Sequence, residues 1–162
     1  MSEFQITSLP LLQGTLGLCP APGRSGAFEN DMKSLIEWRP DLVISLVEDA
    51  EMARLGATGL GNICQTNGIG WLHLPITDFG VPDAVFMTAW EFHQPDLIAQ
   101  LHSGQRIVIH CMGGCGRTGM IALRLMIAAG EDAIIALARL RAARPCAIET
   151  AAQMDWAVSK EN

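Results

Sequence analysis

The sequence contains no tyrosine, and its few phenylalanine and tryptophan residues make up only 6% of the 162 positions. This argues against a tyrosine-rich recognition surface and against an aromatic stacking platform for single-stranded nucleic acid. Charged residues are also few, at 17%, and the excess of acidic over basic side chains gives a net charge of -6. We therefore expect no nucleic-acid partner and no anionic membrane partner, although a small basic pocket remains compatible with this total.

The sequence also lacks a run that could span a membrane and a recognisable secretory leader. The longest apolar stretch, 120–129, is interrupted by Arg124 and is too short to cross a bilayer. The first ten residues carry Glu3 and no basic run. The cysteine count is odd and shows no paired spacing: Cys19, Cys64, Cys111, Cys115 and Cys146. We therefore expect a cytoplasmic protein whose thiols are all reduced.

The length predicts one domain, 1–162, because a typical domain has about 150 residues. Apolar runs bounded by turn residues predict strands within 4–18, at 42–47, 71–75 and 106–110. Helices are predicted at 32–38 with Asn30 or Asp31 as the cap, at 50–55, 60–65 and 83–101 with a kink or break at Pro95, and at 118–129, 133–143 and 150–158. This order predicts an α/β fold of three layers, with a central, mostly parallel sheet flanked by helices and a helical C-terminal third.

The segment richest in chemistry is HCMGGCGRTG at 110–119, where a predicted strand ends and a helix begins. Glycines at 113, 114 and 116 allow the backbone to turn so that successive amides face inward, and the helix N-terminus adds to this anion cradle. Cys111 at its mouth is expected to be a thiolate at neutral pH. Arg117 can hold two phosphate oxygens at once. The spacing C-x5-R-T is therefore a strong indication of a phosphate-handling nucleophile.

Other interpretations of the same segment are weaker. The pattern G-x-G-x-x-G at 114–119 would indicate dinucleotide binding, but it expects an acidic residue about 20 positions further on, and Arg139 lies in that region. No Gly-Lys-Ser/Thr is present for a nucleotide-binding loop. Zinc binding through His110, Cys111 and Cys115 lacks a fourth ligand at finger-like spacing. A glycine-rich turn without chemistry is the remaining alternative.

Four stretches in order resemble one known family: LGLCPAPGR at 16–24, PITDFGVPD at 75–83, HCMGGCGRTG at 110–119 and AIETAAQ at 147–153. On these motifs the chain resembles the cysteine-dependent dual-specificity and protein-tyrosine phosphatase superfamily. Within it, the chain is most similar to the kinase-associated phosphatase (cyclin-dependent kinase inhibitor 3) group. The resemblance implies a metal-independent phosphomonoester hydrolase that needs no cofactor.

The resemblance also implies a role for each residue of the segment. Cys111 would attack phosphorus and form a phosphocysteine intermediate, and Thr118 would hydrogen-bond the leaving thiolate in the second step. His110 would orient the loop from behind. The phosphate oxygens would be held by Met112, Gly113, Gly114, Cys115, Gly116 and Arg117.

A general acid is expected in the Gly/Pro-flanked loop that follows the strand at 71–75. Asp78 is the predicted acid, as in the mobile acid loop of the family, whereas Asp83 is better placed to cap the next helix. Gln153 either positions water near the pocket or packs within a helix. Glu48 or Glu51, just after a buried strand, either pairs with Arg117 or lies at a solvated helix start.

Cys115 and several arginines are less clearly assigned. Cys115 stands where the resembling phosphatases have an apolar residue, and a reversible disulfide with Cys111 is one hypothesis. A set of arginines in the C-terminal third either favours acidic substrates or is solvated and paired with carboxylates: Arg124, Arg139, Arg141 and Arg144.

These observations predict an enzyme that dephosphorylates phosphotyrosine, and also phosphoserine or phosphothreonine, in protein substrates. The alternatives are a phosphatase of a non-protein phosphomonoester, a rhodanese-like sulfurtransferase or an arsenate reductase. The expected partner is the phosphorylated substrate, with no metal, and the resemblance does not establish a kinase partner.

Overall fold

A five-stranded sheet forms the middle layer of the molecule, which a computed structural model describes over residues 4–159. The strands are β1 (Thr7–Leu11), β2 (Gly14–Cys19), β3 (Leu42–Ser45), β4 (Gly70–His73) and β5 (Arg106–His110). Their order is β1-β2-β5-β3-β4. Only β1 pairs antiparallel, with β2, and the other three pairings are parallel. The predicted mostly parallel sheet is therefore confirmed.

Seven helices are present in the described part of the chain. They are α1 (Phe28–Glu37), α2 (Asp49–Leu55), α3 (Leu60–Thr66), α4 (Ala84–His102), α5 (Gly116–Ala128), α6 (Ala133–Ala143) and α7 (Ala151–Val158). The predicted cap of α1 is wrong, because Ala27 occupies the cap position and the buried Asp31 accepts instead from the Gly23 amide. Helix α4 continues through Pro95 without a break.

The two faces of the sheet pack into separate apolar clusters. Alternation along the strands directs one set of side chains towards α4, α5, α6 and α7, and the other set towards α1 and α3. In β5, for example, Ile107 and Ile109 join the first cluster while Val108 joins the second. These two clusters account for the three-layer architecture.

Helix α5 is the central element of the helical side. Every residue from Gly116 to Met126 is buried, including Arg117, Thr118 and Arg124, so this part of α5 presents no face to solvent. Trp156 of α7 makes edge contacts with Phe86 and Trp90 of α4, and the Arg124 guanidinium lies over its ring, 4.4 Å from the centroid. Trp156 therefore docks the last helix, as predicted. Among the described helices, none is long and apolar enough to cross a membrane.

The parallel strands bring three loops to one edge of the sheet. The loop after β5 carries Cys111, the loop after β3 leads into α2 with Glu51, and the loop after β4 carries Asp78. Ligands of open α/β sheets collect at the carboxyl ends of strands. The fold therefore assembles the predicted site residues from distant parts of the chain.

Gly61 is required where α3 meets β4. A Cβ atom at this position would lie 2.3 Å from a ring carbon of Trp71. We expect Gly61→Ala to lower the free energy of unfolding by about 1–3 kcal/mol, because the overpacking must displace a large ring. Gly59→Ala is the matched control, since nothing lies within 4 Å of its Cβ position. Urea unfolding measures both variants, and an equal effect would contradict the prediction.

Candidate active site

The phosphate-binding loop, which we define as residues 111–116, has its carbonyl groups held from outside. The carbonyl of Cys111 lies 3.1 Å from His110 Nδ1, that of Met112 accepts from the Ala21 amide at 3.0 Å, and that of Cys115 accepts from the Ile148 amide at 3.1 Å. The two carbonyls between them, those of Gly113 and Gly114, both accept from the Arg144 guanidinium. Five successive peptide groups are thus fixed with their oxygens turned outward.

The backbone N–H groups of the same loop are available to a ligand. Among the described residues, none of the amides of Met112 to Cys115 has a hydrogen-bond acceptor. Gly114 adopts the left-handed conformation with φ of 72°, and a Cβ there would lie 2.5 Å from the Cys19 backbone. Together with the N-terminus of α5, these amides form the anion cradle that the glycines predicted.

Arg117 lies in the first turn of α5, directly after the cradle, and is 1% exposed. Its two terminal nitrogens donate to the Glu51 carboxylate at 2.7 and 2.9 Å, and one of them also donates to the Ile76 carbonyl at 2.9 Å. Of the two glutamates considered, Glu51 therefore fixes the guanidinium. Glu48 caps α2 and its amide donates to Glu51 Oε1 at 3.0 Å.

The Glu51–Arg117 pair stays ionised in spite of its burial. Burial disfavours the charged carboxylate, but the hydrogen bonds from Arg117 and from the Glu48 amide outweigh it, and the pKa of Glu51 lies below its ordinary value. Burial likewise opposes the charge on Arg117, yet Glu51 and the nearby Cys111 and Asp78 hold its pKa above the ordinary value. The site therefore contains a permanent, oriented cation.

Asp78 reaches this cation from the loop between β4 and α4. Its Oδ1 lies 3.1 Å from Arg117 Nη2, and the side chain is about half exposed. The next residue, Phe79, has φ of 58° and is 61% exposed. Asp83 instead caps α4, accepting from the Phe86 amide at 2.8 Å. The structure thus places Asp78, and not Asp83, in contact with Arg117.

His110 belongs to a hydrogen-bonded relay behind the loop. Because a carbonyl can only accept, Nδ1 of His110 carries the hydrogen that bonds the Cys111 carbonyl. Nε2 then accepts from the Ser45 hydroxyl at 2.6 Å, and Ser45 Oγ accepts from Trp71 Nε1 at 2.8 Å. Burial lowers the pKa of His110 to about 4. The ring is therefore neutral at pH 7, which suits a positioning role and not proton transfer.

Thr118 and Gln153 are the last two of the site residues predicted from the sequence. The buried Oγ1 of Thr118 has no hydrogen-bond partner among the described residues, so its hydroxyl is available to a group in the site. Gln153 is fully buried, and its Oε1 accepts from the amides of Glu149 and Thr150. Its Nε2 donates to the Gly80 carbonyl at 3.2 Å, which ties α7 to the loop that carries Asp78.

The expectation that all thiols are reduced is wrong for Cys115. Cys115 forms a disulfide with the exposed Cys146, in the segment between α6 and α7. The hypothetical bond between Cys115 and Cys111 is therefore also not the one formed, and Cys111 is a free, buried thiol. The sequence did not indicate this pairing, because the two cysteines are separated by 31 positions.

The arginines of the C-terminal third have structural partners. Arg139 pairs with Glu131 at 2.7 Å, in line with one of the two interpretations of these residues. Arg141 donates to the carbonyls of Ala147 and Ile148, and Arg144 to those of the phosphate-binding loop. Arg144 is thus a positioning residue that the sequence did not identify, since a side chain bonded to backbone carbonyls leaves no sequence pattern.

The three residues considered as zinc ligands, His110, Cys111 and Cys115, do not form a zinc site. Both ring nitrogens of His110 are used in hydrogen bonds, and Cys115 is in the disulfide. Over residues 4–159, no group of three or more His, Cys, Asp or Glu side chains is arranged to hold a metal ion. The arrangement instead joins a free Cys111 thiol, a loop whose amides have no acceptor within residues 4–159, and a guanidinium fixed by Glu51.

Comparison with known proteins agrees with this geometry. A family model described as "Tc-R-P: Polymorphic toxin system, DSP-PTPase phosphatase" matches residues 19–131. The chain belongs to this DSP-PTPase phosphatase family. Cyclin-dependent kinase inhibitor 3 of Rattus norvegicus is 29% identical over 137 residues, and that of Mus musculus is 29% identical over 134. These alignments cover 78% and 77% of this chain but only 62% of each relative, so the chain spans less than two thirds of their length.

Solved structures show the same fold. A kinase-associated phosphatase whose catalytic-site cysteine was replaced by serine superposes with a TM-score of 0.84 at 24% identity, covering 98% of this chain and 94% of that one. Tk-PTP in its active form gives a TM-score of 0.71 at 27% identity, covering 93% and 92% of the two chains. The predicted fold class and the resemblance to the kinase-associated phosphatase group are confirmed.

The neutral state of His110 makes stability depend on pH. Its pKa of about 4 in the folded protein lies below the ordinary 6.5. As the pH falls, His110 binds a proton in the unfolded chain before it does so in the folded protein. The contribution of neutral His110 to the free energy of unfolding is therefore complete above pH 6.5 and is lost as the pH falls from 6.5 to 4. We expect NMR titration of the ring nitrogens to show a neutral His110 at pH 5, protonated at Nδ1 alone. Ser45→Ala should leave the ring protonated at Nδ1, because the Cys111 carbonyl can only accept, and a titration midpoint near 6.5 in the unmodified protein would contradict the assignment.

We expect the disulfide between Cys115 and Cys146 to stabilise the fold as well as to position the phosphate-binding loop. It closes a loop of 31 positions, for which the chain-entropy model gives about 3–4 kcal/mol. We expect a dithiol reductant to lower the midpoint of urea unfolding, and Cys146→Ser to lower it by a similar amount. The control is the same reductant on Cys146→Ser, where no further change is expected. A shift of equal size in that variant would show that the reductant acts elsewhere.

Proposed function

We propose that this chain hydrolyses phosphomonoesters through a phosphocysteine intermediate at Cys111. The observation that carries the proposal is the loop itself: its carbonyls are held from outside, the amides of Met112 to Cys115 have no acceptor within residues 4–159, and Glu51 fixes the Arg117 guanidinium. Such donors stabilise the negative charge that spreads over the equatorial oxygens during phosphoryl transfer. A sulfurtransferase or an arsenate reductase is not favoured by the family to which the chain belongs.

In the first step, Cys111 attacks phosphorus in line with the departing oxygen. The sulfur–phosphorus bond forms as the phosphorus–oxygen bond breaks, and Met112 to Gly116 with Arg117 hold the three remaining oxygens. Cys111 is the reactive thiol, because burial raises the pKa of Cys19 and raises that of Cys64 to about 11. Both of these thiols therefore remain protonated at neutral pH.

Asp78 is the proposed acid for the departing oxygen. Its Oδ1 lies 3.1 Å from Arg117 Nη2, beside the place where that guanidinium would hold the phosphate, and the protonated carboxyl group would act as the acid in the substrate complex. The proton then passes to the leaving alkoxide or phenoxide. In the second step, the Asp78 carboxylate accepts a proton from the water that attacks the phosphocysteine.

Thr118 and Gln153 are proposed to act in this second step. The buried Thr118 hydroxyl, which has no hydrogen-bond partner within residues 4–159, would donate to the departing Cys111 thiolate. Gln153 lies against both loops: its Oε1 is 3.0 Å from the Cβ position of Gly116, and its Nε2 is bonded to Gly80. Because Oε1 already accepts from the amides of Glu149 and Thr150, the second hydrogen of Nε2 is the group that would help hold the attacking water.

The proposed substrates are phosphorylated proteins, with phosphotyrosine the first residue to test. The exposed Phe79 ring beside Asp78 offers an apolar surface to the aromatic ring of such a residue. Because curated relatives are named cyclin-dependent kinase inhibitor 3, a phosphorylated kinase is a candidate protein substrate. A non-protein phosphomonoester is the second candidate, and a cytoplasmic location stays a prediction.

The proposed chemistry is tested by phosphate release from p-nitrophenyl phosphate and from a phosphotyrosine peptide. We expect Cys111→Ser to lower kcat by ~10³-fold or more, because the attacking group is removed. Equal rates for this variant and the unmodified protein would reject the phosphatase proposal.

The role of Asp78 is tested separately, with a matched control. Asp78→Asn should lower kcat on the peptide by about 10²–10⁴-fold and remove one limb of the pH profile, because Asn cannot give up a proton. Asp83→Asn should stay within about twofold, since the Asn side-chain oxygen can still cap α4. Similar losses in both variants would show that the acid is not Asp78.

A further inference from the structure

A covalent bond joins the phosphate-binding loop to the segment between α6 and α7. Cys115, at the N-cap of α5, forms the disulfide with Cys146, from which it is separated by 31 positions. The same segment also reaches the loop through hydrogen bonds. Arg144 donates to two carbonyl groups of the loop, and the Ile148 amide donates to a third at 3.1 Å. The disulfide is therefore the covalent member of a set of contacts that hold the loop from one side.

The loop depends on such contacts for its shape. Its amides from Met112 to Cys115 have no acceptor in the described part of the chain. Peptide dipoles that share one anion site have like ends together, so they repel one another until an anion binds. Three of the six loop residues are glycines, Gly113, Gly114 and Gly116, so the backbone gains much conformational freedom when a restraint is removed. The conformation that binds phosphate is thus imposed on the loop from outside.

The disulfide is also the sulfur group that solvent reaches. Cys146 is exposed and Cys115 is half-buried, whereas the three free thiols are buried: Cys19, Cys64 and Cys111. A dissolved thiol therefore meets the disulfide before it meets a free cysteine. Disulfides of cytosolic proteins are mostly transient and catalytic or redox-sensing. The predicted cytoplasmic location would place this bond where dithiol reductants act on it.

We propose that the Cys115–Cys146 disulfide is a redox switch of the phosphate-binding loop, and that a dithiol which reduces it weakens the binding of phosphate groups. The inference rests on the proposed function, because it takes Cys111 to react with a bound phosphomonoester. Neither sulfur of the switch takes part in phosphoryl transfer. Reduction should therefore act in the opposite direction to the usual effect of a reductant on a nucleophilic thiol, which is to keep that thiol active.

The switching reaction is a thiol–disulfide exchange with a dithiol as the reductant. A thiolate of the dithiol attacks the exposed Sγ of Cys146, a mixed disulfide forms, and Cys115 leaves as a thiolate that takes up a proton. The second thiol of the reductant then attacks the reductant's own sulfur in the mixed disulfide, which releases Cys146 and leaves a cyclic disulfide. Two electrons and two hydrogens pass from the dithiol to the protein. A helix N-terminus stabilises a thiolate, so the position of Cys115 at the start of α5 favours this exchange.

The test measures activity and disulfide content together in buffers of graded reduced and oxidised dithiothreitol. Thiol alkylation followed by intact-mass measurement gives the fraction of protein that keeps the disulfide, and p-nitrophenyl phosphate gives kcat and KM. We expect kcat/KM to fall by roughly tenfold, mainly through KM, with the same midpoint as the loss of the disulfide. The inhibition constant of inorganic phosphate should rise by a similar factor, because a loose loop must be ordered by the anion itself. Tryptophan fluorescence at each ratio checks that the protein stays folded.

Two variants separate the switch from other effects of the reductant. Cys146→Ser should keep the low value of kcat/KM in every buffer, because it cannot form the bond. Cys64→Ala is the matched control, since it removes a free, buried cysteine of α3 that lies outside the loop. It should keep both the high activity in oxidising buffer and the transition on reduction.

The outcomes distinguish the two proposals. If the oxidised, unmodified protein does not hydrolyse p-nitrophenyl phosphate, the proposed function itself fails. If it does, the switch is rejected when full reduction leaves kcat/KM and phosphate inhibition unchanged or improves them, or when Cys146→Ser is as active as the oxidised protein. A reduced protein that unfolds would also reject the switch, because the disulfide would then be a structural restraint alone.

Discussion

The rest of this structure depends on one constraint, which is the orientation of the five peptide groups whose carbonyls belong to Cys111 to Cys115. An amide can face a ligand only if its neighbouring carbonyl is satisfied elsewhere, and here every carbonyl from Cys111 to Cys115 has a donor outside the loop. The donors come from the segment after β2, from His110 and from the segment after α6. The anion cradle is therefore a property of the whole domain and not of the signature segment alone.

The distribution of charge follows from the same arrangement. The chain carries a net charge of -6, yet its site is built for an anion. Backbone dipoles supply much of the positive potential and do not enter a count of side chains. The single buried guanidinium, Arg117, is held by Glu51, so its geometry is fixed before any phosphate arrives. Its four terminal N–H groups contact Glu51, Ile76 and Asp78, so a phosphate would take the place of Asp78 at Nη2 while Glu51 keeps the guanidinium in position.

Sequence reasoning succeeded where the signal is local and missed contacts that the sheet order creates. The strand β5, the helix starts at Asp83 and Thr150 and the cradle glycines follow from periodicity and capping within a few residues. The choice of Glu51 over Glu48 depends on a partner 66 positions away, and the Ser45–His110 bond spans 65. The sequence did not indicate the hydrogen bonds of Ser45, the support that Arg144 gives to the loop carbonyls or the disulfide of Cys146, although Arg144 was one of the four arginines considered. These residues acquire their roles only when β3, β5 and the segment after α6 become neighbours.

The segment after α6 links the loop of Cys111 to the loop of Asp78, the proposed nucleophile and the proposed acid. Its residues hold the phosphate-binding loop through Arg144, through the disulfide of Cys146 and through the Ile148 amide. Directly after it, Gln153 bonds the Gly80 carbonyl in the loop of Asp78. One continuous stretch of chain therefore fixes both loops relative to each other. Since acid catalysis depends on sub-ångström placement of the acid and the nucleophile, this stretch is as much part of the site as the residues that touch the phosphate.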